Sequence, residues 1–182
     1  MKTMRDYEIE ELLKAPYNPD DINPEPETSA FDQNALALAR TAYGEGRGEG
    51  EEGMHLIQKV IKNRAESGGK YNWPKTAYEV AHQPYQFSAC NKNDPNREKM
   101  LSLDENSTDP HFTKALGLVN KPLPEKLKQF KDADHYHTTK VSPSWSKSGK
   151  LRKLGQHGNH IFYTTKPGTG ITPAANLKSG LN

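Results

Sequence analysis

One carboxylic acid stands where the sequence could support acid catalysis. Glu45 follows a stretch of helical periodicity and lies in residues 44–50, where glycine occupies alternate positions and disfavours a helix interior. The glycines let a ligand approach the backbone closely. A carboxyl group held against an apolar wall, here the helix that carries Tyr43, can keep its proton near neutral pH and give it to a leaving oxygen. The alternative is a helix-end residue without a role.

A second carboxylate, Glu49, lies four residues further along the chain. A glycosidase with paired carboxylates needs the two groups about 5–9.5 Å apart, but the intervening glycines disfavour the simple helical geometry. We therefore predict that Glu49 caps and orients the next helix, whose N-terminus favours negative charge, and that it lies at the substrate site. The paired-carboxylate role is the alternative.

Histidine and aromatic residues form the next candidate group. His135 and His137 flank Tyr136, and alternate residues of a strand point to the same face. Two histidines are too few for a zinc site, so we predict no metal and no cofactor, and interpret the segment as a polar, aromatic wall for a sugar. Trp145, in a turn-rich stretch, is either a carbohydrate platform or a loop anchor.

The single cysteine limits the chemistry further. Cys90 cannot form an internal disulfide, and a zinc site built from several cysteines is excluded. We interpret Cys90 as a partly buried structural thiol, with a thiol nucleophile as the alternative.

The elements that must position these residues are mainly helical. Asp32 can cap a helix with Leu36, Ala39 and Tyr43 on its buried face. The other predicted elements are a helix over 51–67 with a glycine stop, a short helix from Thr76 to His82, a helix over 110–119 and strands over 85–88 and 160–163. The prediction is a mainly α domain with small β elements over 29–165, after an acidic, proline-rich arm (1–28) and before a flexible tail (166–182).

Composition and charge exclude several classes of protein. The chain has 182 residues, 25 basic and 23 acidic, a net charge of +2 and a mean hydropathy of −0.96. No apolar run is long enough to span a bilayer, the first residues do not resemble a secretory signal, and the small net charge argues against nucleic-acid binding. The net charge is −5 over 1–28 and +7 over 138–182. The basic third either attracts an anionic polymer or is a solvated face.

Several of these residues together resemble a known family. Residues 39–49, Gly53 and 60–64 are similar to the opening of the cell wall hydrolases typified by spore-cortex-lytic enzymes. Gln86-Phe87-Ser88 resembles the next block, and residues 135–137, 141–145 and 158–163 resemble the closing blocks. The resemblance covers about 33–164, in the same order.

The resemblance implies a lysozyme-like fold and cleavage of the bond between N-acetylmuramic acid and N-acetylglucosamine in peptidoglycan. It implies that Glu45 is the general acid and that the product is a 1,6-anhydro end, since one carboxyl group suffices for a lytic transglycosylase. The predicted substrate-binding residues are Glu49, Gln86, Phe87, Ser88, Tyr136, His137 and Trp145.

The sequence departs from the spore type before His135 and over 146–156, so a hydrolytic muramidase on the same bond is an alternative, with Asp94 or Asp134 as the second acid. A non-catalytic wall-binding module is another. We expect a monomer that binds glycan strands, with no nucleic acid and no membrane insertion. Without a signal peptide, a phage endolysin released through a holin pore, or a virion-borne lysin, is the expected setting.

Overall fold

Two packed helices form the centre of the fold. The computed structural model describes residues 32–68, 70–84 and 86–167, so the predicted arm and almost all of the predicted tail lie outside the described residues. Helix α1 (Gln33–Gly46) begins at Asp32, whose carboxylate accepts a hydrogen bond from the Asn34 amide at 2.9 Å. This confirms the predicted cap. Helix α2 (Gly50–Glu66) packs against α1 with Met54, Ile57 and Ile61 buried.

The connection between these helices is shorter than the glycine pattern predicts. Helix α1 continues through Gly44 to Gly46, and a single 3-10 turn (Arg47–Glu49) leads directly into α2. The helix thus ends within the run 44–50, as predicted, although Gly44 lies inside it. A Cβ atom on Gly44 would lie 2.4 Å from the Cβ of Ala89, so close packing is the reason for glycine at this position.

Three further helices cover the central pair. Helix α3 (Ala77–His82) has a capping box in which the Thr76 side chain and the Glu79 side chain bond each other's backbone amides. Helix α4 (Arg97–Leu101) is short, and α5 (Pro110–Leu118) begins with Asp109 as cap and proline in its first turn. Both the α3 and the α5 predictions are confirmed.

The predicted strand over 85–88 is wrong for the residues that the structure describes. Phe87 has an extended backbone, but Ser88–Cys90 form a 3-10 turn. The Ala89 amide donates to a side-chain carboxylate rather than to a neighbouring strand. Tyr85 lies outside the described residues.

A small antiparallel sheet packs against α2. Its strands β1 (His135–Thr138), β2 (Arg152–His157) and β3 (His160–Thr164) have the order β1-β3-β2. Tyr136 pairs with Phe162, and a bulge interrupts β2 between Lys153 and Gly155. A one-turn helix, α6 (Ser144–Lys147), precedes β2, and a 3-10 segment (Glu125–Phe130) precedes β1. The predicted strand at 160–163 is confirmed.

A second apolar cluster joins the sheet to α2, through Leu56, Val60, Phe130 and Phe162. The described part of the chain is thus mainly α with one small sheet, as predicted. Within that part, no helix combines the length and the apolar character needed to cross a membrane.

Candidate active site

Three separate segments converge on the carboxyl group of Glu45. This residue is half-buried in the last turn of α1. Its Oε1 accepts hydrogen bonds from the Ser88 hydroxyl at 2.9 Å and from the Ala89 amide at 2.8 Å, and its Oε2 accepts one from the Tyr136 hydroxyl at 3.1 Å. The fold thus brings together α1, the 88–90 turn and β1 around one acid, and three of the predicted site residues meet there.

The hydrogen-bond partners decide where a proton on Glu45 belongs. The Ala89 amide can only donate, so Oε1 remains an acceptor in either protonation state. The proton of the acid form therefore belongs on Oε2, next to a tyrosine hydroxyl that can both donate and accept. Burial, and then the charge of Glu45, raise the pKa of Tyr136 well above its ordinary value. Tyr136 is thus a neutral hydroxyl over the physiological range.

The inner face of the sheet supports Tyr136 from behind. Its ring lies 6.4 Å from that of Phe87, 5.8 Å from that of Phe162 and 5.1 Å from that of His160. Phe87 is fully buried and supports Tyr136, and its predicted part in substrate binding stays a prediction. Burial lowers the pKa of His160, although the charges of Glu49 and Glu45 oppose this shift, so His160 is neutral at pH 7.

Glu49 does not make the capping hydrogen bond predicted for it. It occupies the N-cap position of α2, but its side chain reaches instead to the β2–β3 turn, where Oε2 accepts from the Asn159 amide at 3.0 Å and Oε1 from Asn159 Nδ2 at 2.9 Å. Partial burial acts to raise the pKa of Glu49, but the bonds from Asn159 and the nearby histidines outweigh it and lower the pKa.

Two glycines make room for the Glu49 side chain. A Cβ on Gly53 would lie 2.2 Å from the Cβ of Glu49, and a Cβ on Gly158 would lie 1.6 Å from its Oε2. Gly158 also has a φ of +53°, which non-glycine residues rarely adopt. Glu49 is therefore a clamp between α2 and the β2–β3 turn.

Gln86 belongs to a buried network around Arg64. The Arg64 guanidinium donates to Gln86 Oε1 at 3.0 Å and to the Asp134 carbonyl at 2.7 Å, and it lies over the rings of Trp73 and Phe87. Burial lowers the pKa of Arg64 to about 10. This network fixes the 86–87 segment relative to β1, and a contact between Gln86 and glycan stays a prediction.

The outer face of the sheet carries the predicted histidine pair. His135 and His137 do share one face, with Trp145 5.4 Å and 5.5 Å from their rings. His137 is buried, with Nε2 on the Tyr163 hydroxyl and Nδ1 on the Thr138 carbonyl. These contacts orient its ring within the sheet, and its predicted part in substrate binding stays a prediction. Trp145 is half-buried, and its platform role stays a prediction.

The remaining candidate groups, Cys90, Asp134 and Asp94, lie in structural surroundings. Burial raises the pKa of Cys90 to about 12, so its thiol is not a nucleophile at neutral pH. Asp134 accepts hydrogen bonds from His135 and Thr165, and Asp94 Oδ1 accepts from the Asn96 amide. Among the described residues, no group of three His, Cys, Asp or Glu side chains is placed to hold a metal ion.

Four residues of this arrangement escape sequence reasoning: Ala89, Asn159, His160 and Arg64. Ala89 and Asn159 act through backbone amides, which every residue type except proline has. Arg64 and His160 lie in two blocks of the family resemblance, 60–64 and 158–163, but no role at the site was predicted for either.

Comparisons with known proteins bear on the family and the fold of the chain. The model of the cell wall hydrolase family matches residues 48–163, a range that begins three residues after Glu45. The catalytic domain of the germination-specific lytic transglycosylase SleB from Bacillus anthracis is similar in structure, with a TM-score of 0.53 and 23% identity, covering 75% of this chain and 99% of that domain. The catalytic domain of the Bacillus cereus SleB protein is also similar, with a TM-score of 0.52 and 24% identity, covering 78% of this chain and 100% of that domain.

No curated protein matches the chain. At these identities the structural likeness shows the fold, and the predicted lysozyme-like fold is confirmed.

Proposed function

This chain belongs to the cell wall hydrolase family, and we propose that it is a lytic transglycosylase in which Glu45 is the single catalytic carboxyl group. It is a peptidoglycan-cleaving enzyme. The proposed bond is the β-1,4 linkage between N-acetylmuramic acid and N-acetylglucosamine. The observation that carries this proposal is the meeting of Ser88, Ala89 and Tyr136 at the carboxyl group of Glu45.

The proposed reaction uses Glu45 twice. The acid form donates the proton on Oε2 to the glycosidic oxygen, and the bond between that oxygen and C1 of muramic acid breaks. The resulting carboxylate then takes the proton of the muramic C6 hydroxyl, whose oxygen forms a new bond to C1. No water is consumed, and Glu45 returns to its acid form. Tyr136 and Ser88 hold the carboxyl group in one place through both steps.

The other acids near the site support the single-carboxyl reaction. A hydrolase with two carboxylates needs a second acid with an oxygen available to water or to the sugar. Both oxygens of Glu49 accept hydrogen bonds from Asn159. Asp134 is buried and holds Thr165 and His135. These bonds support a structural role for both carboxylates and, with it, the single-carboxyl reaction.

Mass spectrometry of the released muropeptides tests the reaction type. Purified cell walls are digested to completion with the full chain, and the soluble fragments are weighed. We expect anhydro-muramic ends, which are lighter by one water than hydrolysed ends. Fragments that carry the full water would contradict the transglycosylase proposal and favour the muramidase alternative.

A pair of isosteric variants tests the assignment of Glu45. We expect Glu45→Gln to reduce lysis of purified walls by about 10²- to 10⁴-fold, because the amide cannot donate a proton to the leaving oxygen. Glu49→Gln is the matched control, with the same chemical change four residues away, and should keep lysis within a few-fold. Wild-type lysis by a correctly folded Glu45→Gln variant would remove Glu45 from the mechanism.

The phage setting, as an endolysin or a virion-borne lysin, stays a prediction, as does the monomeric state. The basic residues of 138–182 would favour an anionic wall surface in either setting.

A further inference from the structure

A second concave site lies away from Glu45, between α2 and the segment that joins α5 to β1. Its volume is about 560 Å³, within the range of small-ligand sites. Five lysines surround it, with Glu66 as the only acid in the lining; the lining lysines are Lys59, Lys62, Lys121, Lys128 and Lys131. It shares no residue with the hydrogen-bonded group around Glu45.

We propose that this lysine-lined cavity binds a phosphate-bearing polyol, such as a segment of a poly(glycerol phosphate) chain. This inference goes beyond the proposed function, because it concerns a different part of the molecule and a different ligand. The concentration of like charges is unfavourable on its own, and an anion removes that repulsion. Lysine binds phosphate as a compact point charge.

The floor of the cavity favours a ligand that also carries hydroxyl groups. Gln58 lines the cavity and is fully buried. Its Nε2 donates to the Ala115 carbonyl at 2.7 Å, which fixes the orientation of the amide, while its Oε1 has no hydrogen-bond partner among the residues that the structure describes. A buried acceptor without a partner is costly. This oxygen is itself buried, so a ligand hydroxyl can supply the missing donor once the side chains of the lining move aside.

The cavity also imposes a cost on its own cations. Lys62 donates to the Val119 carbonyl from a half-buried position, and burial, followed by the charge of Lys59, lowers its pKa. His55 is buried beside it, with Nε2 3.2 Å from the Lys121 carbonyl oxygen, and burial lowers the pKa of this histidine too. A bound anion would favour the charged forms of both groups.

The lining argues against single-stranded nucleic acid as the ligand. Proteins that bind single strands in a groove rely on aromatic side chains for base stacking, and none of the ten lining residues is Phe, Tyr or Trp. A phosphate-bearing polyol does not require base stacking.

Calorimetric titration of the full chain tests the proposal, with synthetic oligo(glycerol phosphate), glycerol 3-phosphate and inorganic phosphate as three probes. The test variant is Lys121→Glu/Lys131→Glu, since both side chains are exposed. The matched control is Lys147→Glu/Lys150→Glu, which changes the net charge equally on exposed lysines near α6. We expect the test variant to weaken oligo(glycerol phosphate) binding about tenfold or more and the control by less than about twofold.

Each outcome decides the proposal. Equal weakening by both variants would reduce the effect to net charge and overturn it, as would undetectable binding or tighter binding of poly-glutamate or duplex DNA. Much higher affinity for the oligomer than for glycerol 3-phosphate and inorganic phosphate identifies a polymer as the ligand. Equal affinity per phosphate identifies a small phosphorylated polyol or free phosphate. Glu45→Gln should bind the oligomer like the wild type, so loss of lysis and loss of binding separate the two proposals.

Discussion

Glu45 and Glu49 are the same residue type, four positions apart, but the fold gives their carboxylates opposite surroundings. Glu45 ends α1, and its Oε2 meets the hydroxyl of Tyr136. Glu49 precedes α2, and both of its oxygens meet N–H groups of Asn159. The two lie at opposite ends of one 3-10 turn, so the difference comes from the segments that the fold brings to each.

The comparison shows how partner type can separate a reactive acid from a structural one. A hydroxyl can donate or accept, so the surroundings of Oε2 of Glu45 accommodate both protonation states. The two N–H groups of Asn159 that face Glu49 can only donate, so they stabilise the carboxylate of Glu49 and not its acid form. The glycines at 53 and 158 then fit the chain closely around Glu49. Glu45 has the surroundings of a proton donor, and Glu49 those of a fixed anion.

Shortening each side chain by one methylene gives the strongest test of the different roles of Glu45 and Glu49. Glu45→Asp keeps the charge but withdraws the carboxyl group from Ser88, Ala89 and the reacting oxygen. We expect lysis of purified walls to fall about 100-fold, because misplacement by about 1 Å costs that much. Glu49→Asp should lower stability by about 1–2 kcal/mol and leave lysis of the folded protein within a few-fold. A reversed pattern would exchange the two roles.

Gly158→Ala tests the clamp through stability. The turn holds residue 158 at a φ of +53°, which costs a residue with a Cβ atom about 1–2 kcal/mol. The new Cβ also displaces the Glu49 carboxylate, which costs a further ~1.5 kcal/mol or more in charged hydrogen bonds. We expect a total loss of about 3 kcal/mol in urea unfolding. In a Glu49→Ala background only the backbone strain of about 1–2 kcal/mol should remain. Additive effects would show that the contact between Glu49 and the turn contributes nothing.

Local sequence patterns predict the helices of this fold well, because their signals are local. The caps at Asp32, Thr76 and Asp109 each stand next to the helix that they begin. The predicted strand at 85–88 fails because the Ala89 amide bonds Glu45, 44 residues away. A short alternating segment contains no information about a partner at that separation.

The candidate site also has features that local sequence indicates and features that depend on distant residues. The glycine-rich run around Glu45 indicates the acid, because the signal is contained in seven residues. The clamp role of Glu49 depends on Gly158 and Asn159, which lie more than 100 residues further along. Phe87 is buried in the helical core, and His137 by its contact with Tyr163 of the neighbouring strand. Sequence spacing therefore indicates the proposed acid but not which of its neighbours are buried.

Removing one hydroxyl on each face of the sheet sharpens the assignment of Tyr136. Tyr136→Phe removes the partner of Glu45 Oε2, and we expect lysis to fall about tenfold, the effect of losing roughly 1.4 kcal/mol at the acid. Tyr163→Phe is the matched control, since its hydroxyl bonds His137 on the outer face at 3.0 Å. It should lower stability slightly and leave lysis unchanged. Equal losses of lysis in the two variants would mean that the hydroxyl acts through the fold rather than through Glu45.

The smallest expected effect is on the pH dependence of stability, which tests whether Glu49 is held as a carboxylate. The pKa of Glu49 is lowered in the folded state, so the unfolded state binds the proton more readily. Its contribution is complete above the ordinary pKa of about 4.3 and is lost as the pH falls through the lower folded value.

Glu49→Gln has no such proton to bind. The difference between the urea midpoints of wild type and Glu49→Gln should therefore be largest above about pH 5 and should shrink steadily below about pH 4. Other carboxylates with lowered pKa values, such as Asp134, titrate in both proteins and cancel in that difference. A difference that stays constant down to the lowest pH would show that Asn159 binds the glutamine amide as well as the carboxylate, and the charge of Glu49 would then have no part in holding the turn.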